Sequence, residues 1–123
     1  MSSQTLIDEP LKIGEVTEIP ADIEAKLLIV SGPDSGRIIP LKDPITLLGR
    51  DKDCHVQIDD PRVSGRHAAV YFAGGEFRIR DLASTNGTLL NGSALTDFAF
   101  ADGDDARVGK SVLRLVVDFK EEG

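Results

Sequence analysis

Four short stretches of the chain hold the side chains best suited to chemistry. They are Gly49-Arg50, Ser64-Gly65-Arg66-His67, Ser84-Thr85-Asn86-Gly87-Thr88, and Gly103-Asp104 followed by Gly109. Taken singly, each has a plain structural reading: Arg50 as a solvated strand end, Ser64 as a turn hydroxyl, Ser84 to Thr88 as a hairpin turn around Asn-Gly. Catalytic readings fail on spacing. Ser64 and His67 could pair as nucleophile and base, but no Gly-x-Ser-x-Gly elbow surrounds the serine. The run Gly103 to Ser111 imitates a phosphate-binding P-loop, yet five residues separate its glycines where the motif has four. A strand pattern, Val112 to Val117, then follows where that motif has a helix. Cys54 and His55 with Asp51 and Asp53 could suggest a metal, but adjacent strand residues point to opposite faces. As a calcium loop from Asp51, the same stretch lacks the glycine at its sixth position and ends in Arg62 where glutamate is required. The expectation is no metal, no cofactor and no catalysis.

The elements that must position these residues read as strands. Short runs rich in Ile, Val and Leu alternate with Gly, Asp, Asn and Pro, which predicts strands over Lys26–Ser31, Arg37–Leu41, Ile45–Arg50, His55–Asp59 and His67–Ala73. Further ones are expected over Glu76–Asp81, Thr88–Leu90, Asp105–Gly109 and Ser111–Phe119. Gly74-Gly75, Asn86-Gly87, Asn91-Gly92 and Asp102-Gly103 supply turns between them. No stretch is long and unbroken enough for a helix of three turns. Regularly spaced strands without helices imply two packed antiparallel sheets or a barrel, with the binding residues on loops held by that scaffold. Residues 1–25, interrupted by Pro10 and Pro20, read as a mobile arm, residues 26–119 as the domain and residues 120–123 as a tail.

In this order and spacing, Gly-Arg, then Ser-x-x-His, then Ser-Thr-Asn-Gly-Thr resembles the forkhead-associated (FHA) family of phosphothreonine-binding domains, from Lys26 to about Phe119. Asp102-Gly103-Asp104 with Val108-Gly109 fits the family's C-terminal signature. The resemblance implies an all-β, two-sheet antiparallel sandwich of about eleven strands, and binding of phosphothreonine through loops at one end. A phosphomonoester carries about −1.5 to −2 charges and three acceptor oxygens, so its receptor needs donors and positive charge. By the resemblance Arg50 is the main phosphate ligand, its planar fork able to grip two oxygens. Ser64 donates its hydroxyl, Arg66 is a second cation, Thr85 helps to close the pocket, and Asn86 holds the ligand's main chain. Gly49, His67 and Gly87 are read as architecture, His67 bracing the loops from beneath. Gly65 stands where many family members carry a larger polar or basic side chain that touches the ligand, and here only a backbone N–H is left for that contact.

The chain of 123 residues is the length of one domain, with 41% hydrophobic and 28% charged residues, the balance of a soluble globular protein. Its formal net charge of −7 opposes general binding to nucleic acid. The acidity is concentrated at the start, where residues 1–25 carry six acids against Lys12. No run approaches a membrane span and the N-terminus has no signal-peptide pattern. With one cysteine, the expected compartment is the cytoplasm. The first methionine and the full motif set lead to the expectation of a stand-alone protein. The expected partners are phosphothreonine-containing proteins, a Ser/Thr kinase or its substrates, with neither nucleic acid nor membrane. Thr5 and Thr17 are candidate phosphorylation sites through which the arm could occupy its own site or a neighbour's. The rival reading is a sandwich that binds partners through a sheet face without phosphate.

Overall fold

The apolar alternation builds eleven strands in the structure, a computed structural model that describes residues 16–120. In chain order they are β1 (Ile23–Ser31), β2 (Ile38–Leu41), β3 (Ile45–Gly49), β4 (Val56–Gln57), β5 (Ala68–Ala73) and β6 (Glu76–Asp81). After these come β7 (Thr88–Leu90), β8 (Ser93–Ala94), β9 (Asp97–Ala99), β10 (Asp105–Val108) and β11 (Ser111–Phe119). Six form one sheet in the order β2-β1-β11-β10-β7-β8, and five form the other in the order β4-β3-β5-β6-β9. No helix occurs among the described residues, and the expected two-sheet sandwich is the observed fold.

Side-chain alternation explains the layering. In β1 and β11, Leu27, Ile29, Leu113 and Leu115 point inward and are at most 1% exposed. They share one core with Leu48, Val56, Val70 and Ile79 of the facing sheet. Burying each such side chain contributes about 1.5–3 kcal/mol. Strand β5 is buried on both faces, which a single sandwich core does not explain. Its outward residues Ala69, Tyr71 and Ala73 join Leu82 in a second cluster, covered by Val16, Ile45 and Leu47.

That second cluster draws the N-terminal segment onto the domain. Val16 bridges to Ala73, and the Thr17 N–H donates to the Phe72 carbonyl at 3.0 Å. β1 then begins at Ile23, not Lys26, so the described part of the segment expected as an arm lies against the sandwich. Residues 1–15 and 121–123 lie outside the described residues.

Three further differences from the expected strands have local causes. β8 and β9, two and three residues long, were not expected, because their pairing is decided by partners β7 and β6 rather than by a local pattern. β4 is confined to Val56–Gln57 and runs parallel to β3, whereas every other strand pair among the described residues is antiparallel. His55, expected within that strand, instead uses its ring: Nδ1 accepts the Leu47 N–H at 2.8 Å and occupies the place of a ladder partner.

Candidate functional site

The connections following β3, preceding β5 and preceding β7 meet at one end of the sandwich. Their meeting is made of backbone-to-backbone contact. A Cβ on Gly49 would overlap the Gly65 carbonyl oxygen and stand 2.8 Å from Cys54 Sγ, so only glycine lets the two loops touch. The Asp51 N–H and the Cys54 thiol both donate to that Gly65 carbonyl, at 3.1 and 3.2 Å. Burial pushes the Cys54 thiol up from its ordinary range, and the neighbouring Asp53 and Asp51 add to this.

Arg50 leaves β3 at this junction. Its N–H donates to the Ser64 carbonyl and its Nε–H to the Val63 carbonyl, both at 3.0 Å. The second bond fixes the guanidinium plane from one edge. The residue is exposed, and among the described residues no carboxylate pairs with it. Arg66 has a different environment: Nη2 lies 2.8 Å from Asp53 Oδ2, and this pairing raises the arginine and lowers the aspartate from their ordinary ranges. Of these two arginines, then, Arg66 is held by an acid and Arg50 is not, among the described residues. At Gly65, a side chain would begin 2.8 Å from Asp51 Oδ1, so the Asp51 carboxylate stands where that side chain would be.

Ser64 and Thr85 are brought together across 21 positions of sequence. Ser64 Oγ accepts the Thr85 N–H at 2.9 Å, which leaves its own O–H to donate elsewhere. Asn86 is exposed, and its Nδ2 donates to the Arg62 carbonyl at 2.8 Å. One amide hydrogen and the amide oxygen remain for a ligand.

The loop holding Thr85 and Asn86 is shaped by Asp81, which sequence reasoning missed. The Asp81 carboxylate accepts from the Ser84 N–H at 3.1 Å, from the Ser84 hydroxyl and from the Thr88 hydroxyl at 2.7 Å. Ser84 Oγ in turn accepts the Gly87 N–H at 2.9 Å. Ala83 is held at φ +54°, a left-handed conformation that costs a non-glycine residue about 1 kcal/mol or more. Gly87 takes φ +84° without such a cost. Ser84 and Thr88 thus face the scaffold, while Thr85 and Asn86 face out.

His67 joins the two halves from below. It is 0% exposed; Nδ1 accepts the Ser64 N–H at 3.0 Å, and Nε2 lies 2.8 Å from the Gly87 carbonyl. An Nδ1 that accepts carries no proton, so the pattern assigns the Nε2–H tautomer, which donates to Gly87. The ring thus ties the Ser64 turn to the Gly87 turn.

Beside Asn86 lies a depression of about 280 Å³ bounded by Arg62, Gly87, Leu89, Arg107 and Gly109. Arg107 on β10 stands directly opposite Leu89 on β7. Neither Arg62 nor Arg107 is paired with a carboxylate among the described residues. Both were missed from sequence, because nothing local marks them as neighbours of Asn86. Of the candidate phosphorylation sites, Thr5 lies outside the described residues, and Thr17 is exposed beside the C-terminal end of β5. No group of three His, Cys, Asp or Glu among the described residues is placed to hold a metal. No helix among them is long and apolar enough to cross a membrane.

Comparison with known proteins agrees with this geometry. The family described as FHA domain matches residues 46–109, just over half of the chain. The glycogen accumulation regulator GarA of Mycolicibacterium smegmatis is 38% identical over 86 residues, covering 70% of this chain and 54% of the relative. The chain thus spans about half the length of that curated relative. An FHA domain solved in a study of phosphothreonine-dependent FHA domain interactions superposes with a TM-score of 0.69 at 31% identity, over 76% of this chain and 95% of that one. Mycobacterium tuberculosis EmbR, solved in complex with a low-affinity phosphopeptide, superposes with a TM-score of 0.72 at 28% identity, over 81% of this chain and 26% of its own.

Proposed function

The chain belongs to the FHA domain family, and we propose that it is a phosphothreonine reader that binds phosphorylated protein partners in Ser/Thr kinase signalling. The observation that carries this is the junction itself, where Arg50, Ser64, Thr85 and Asn86 arrive from three connections and are tied by Nε–Val63, Oγ–Thr85 and Nδ2–Arg62 hydrogen bonds. Arg50 offers its fork to the phosphate, and Ser64 donates its remaining O–H. Asn86 holds the peptide backbone, and Thr85 and the Gly65 N–H line the rim. Arg66 contributes charge at one remove, since Asp53 holds its guanidinium. Hydrogen bonds to charged groups contribute about 1.5–3 kcal/mol each, and micromolar affinity corresponds to about −8.2 kcal/mol. A few such bonds suffice after ordering costs.

The protein acts by binding and not by catalysis, in the cytoplasm, with a Ser/Thr kinase or its substrates as partners. Arg62 and Arg107 favour an acidic residue near the phosphothreonine. Phosphorylation of the protein's own N-terminal segment regulates the site. Thr17 is docked at Phe72, five residues along β5 from His67, or roughly 17 Å. It reaches the site of its own domain only by undocking. Thr5 stands 11 residues before the Val16 anchor, and an extended segment of that length spans about 36–40 Å, enough to reach the site.

Titration calorimetry with a phosphothreonine peptide pool, its phosphoserine and unphosphorylated counterparts, and an Arg50→Ala variant tests the reading. Binding confined to phosphothreonine and lost in the variant is expected. Binding indifferent to phosphate would replace the reader with a scaffold acting through a sheet face.

A further inference from the structure

Asp60 belongs to none of the motifs above, yet it is 2% exposed at the base of the site. Its two oxygens serve backbone elements far apart in sequence. Oδ1 accepts the Arg62 N–H at 2.9 Å, and Oδ2 accepts the Lys110 N–H of the β10–β11 turn at 2.7 Å, fifty residues away. The turn can come so near because residue 109 is glycine at φ +63°. A Cβ there would stand 2.6 Å from Asp60 Oδ2 and 2.7 Å from Val63 Cγ2. Asp60 also closes its own turn, its carbonyl accepting the Val63 N–H at 2.9 Å.

The two residues so held present the carbonyls that hold the site's side chains. The Val63 carbonyl accepts Arg50 Nε–H, and the Arg62 carbonyl accepts Asn86 Nδ2–H. We propose that Asp60 is a positioning residue of the phosphothreonine site: it clamps the 60–64 turn to the β10–β11 turn and so sets the two carbonyls that aim Arg50 and Asn86. Charge-assisted bonds to backbone donors are short and directional, which suits a strut between two turns. The Lys110 and Arg62 N–H groups also hold the Asp60 carboxyl below the ordinary aspartate range, so the strut is ionised whenever the site is in use. The ligand in this proposal rests on the reader function proposed above, but the clamp itself does not.

The test is Asp60→Asn in the full chain, read first without ligand. An asparagine accepts through one oxygen only and turns an N–H₂ toward the second backbone donor, so one of the two ties is lost. The ¹⁵N resonances of Arg50 Nε–H and Asn86 Nδ2–H₂ should shift or broaden while the amides of β1 and β5 hold their positions. A merely structural role would move neither side chain selectively. Affinity for a phosphothreonine peptide should then fall about tenfold or more. Unmoved side-chain resonances with affinity within twofold of wild type would overturn the proposal. Should the variant not fold, amide exchange on the wild-type protein decides: protection of the Arg62 and Lys110 amides rises together on phosphopeptide binding if Asp60 couples them to the site, and unchanged protection overturns the clamp. Failure of the wild type to bind any phosphothreonine peptide would retire the reader function, while the ligand-free resonances still judge the clamp.

Discussion

Replacing His67 with alanine is expected to loosen the site and destabilise the domain together. The ring is fully buried, accepts the Ser64 N–H and donates to the Gly87 carbonyl. Alanine strands both backbone groups, at about 1–3 kcal/mol each, or about 2–6 kcal/mol in all. Water entering the vacated space can bond to both, which sets the lower end of that range. A domain's whole stability is about 5–15 kcal/mol, and in one of this size each kcal/mol lowers Tm by about 4–8 °C. The variant should therefore melt at least about 8 °C below wild type. Phosphopeptide affinity should fall as well, since the ring is the tie between the Ser64 and Gly87 turns. His67→Phe separates the causes: phenylalanine fills the volume but makes neither bond, so it should recover some melting temperature and none of the affinity. Thermal melts by circular dichroism and calorimetric titration, run where each variant is folded, give both numbers. Wild-type affinity in His67→Phe would refute the bracing argument, because it would show that packing alone holds the loops.

Gly49→Ala should destabilise the domain by about 1–3 kcal/mol, since its Cβ has no space between the Gly65 carbonyl and Cys54; a lowered denaturant midpoint with unchanged slope checks this. Asp60 carries a pH signature. A carboxyl held lower in the folded than in the unfolded state stabilises fully above its unfolded value of about 3.9 and loses that contribution as pH falls through the folded value. The stability gap between wild type and Asp60→Asn, from urea midpoints, should be full near about pH 6 and shrink below about pH 4. Cys54 is buried with its thiol pushed up, so alkylating reagents should label it only as denaturant opens the domain; rapid labelling of the native protein would contradict its placement. Arg107→Glu should weaken binding of phosphopeptides with an acidic flanking residue more than that of neutral ones, read as a ratio of dissociation constants.

Strand alternation in Lys26–Ser31 and Ser111–Phe119 was readable because one face of each is buried, which imposes a period of two on the residues themselves. The loop motifs were readable for a similar reason. Gly49 has no room for a Cβ, Gly87 sits at positive φ, and His67 must satisfy two backbone groups at once, so each position tolerates few residue types. These constraints belong to single positions and leave their mark in the chain. The strands β8 and β9 left none, since they are two and three residues long and exist because β7 and β6 offer them a ladder.

The sequence by itself determined the all-β class and marked the loop positions, such as Gly49, Gly87 and His67, that tolerate few residue types. The tertiary structure alone decided that Arg66 is held by Asp53 while Arg50 has no acid partner among the described residues, because a charge's partner depends on which turns fold beside it. It alone brought Asp60 to Lys110 and Arg107 beside Asn86, and docked Val16 on the second cluster of β5. Arg66 and Asp53 are 13 positions apart, and the other contacts join residues more than twenty apart. No local pattern encodes them, because their energies arise only when the sheets have brought the loops together.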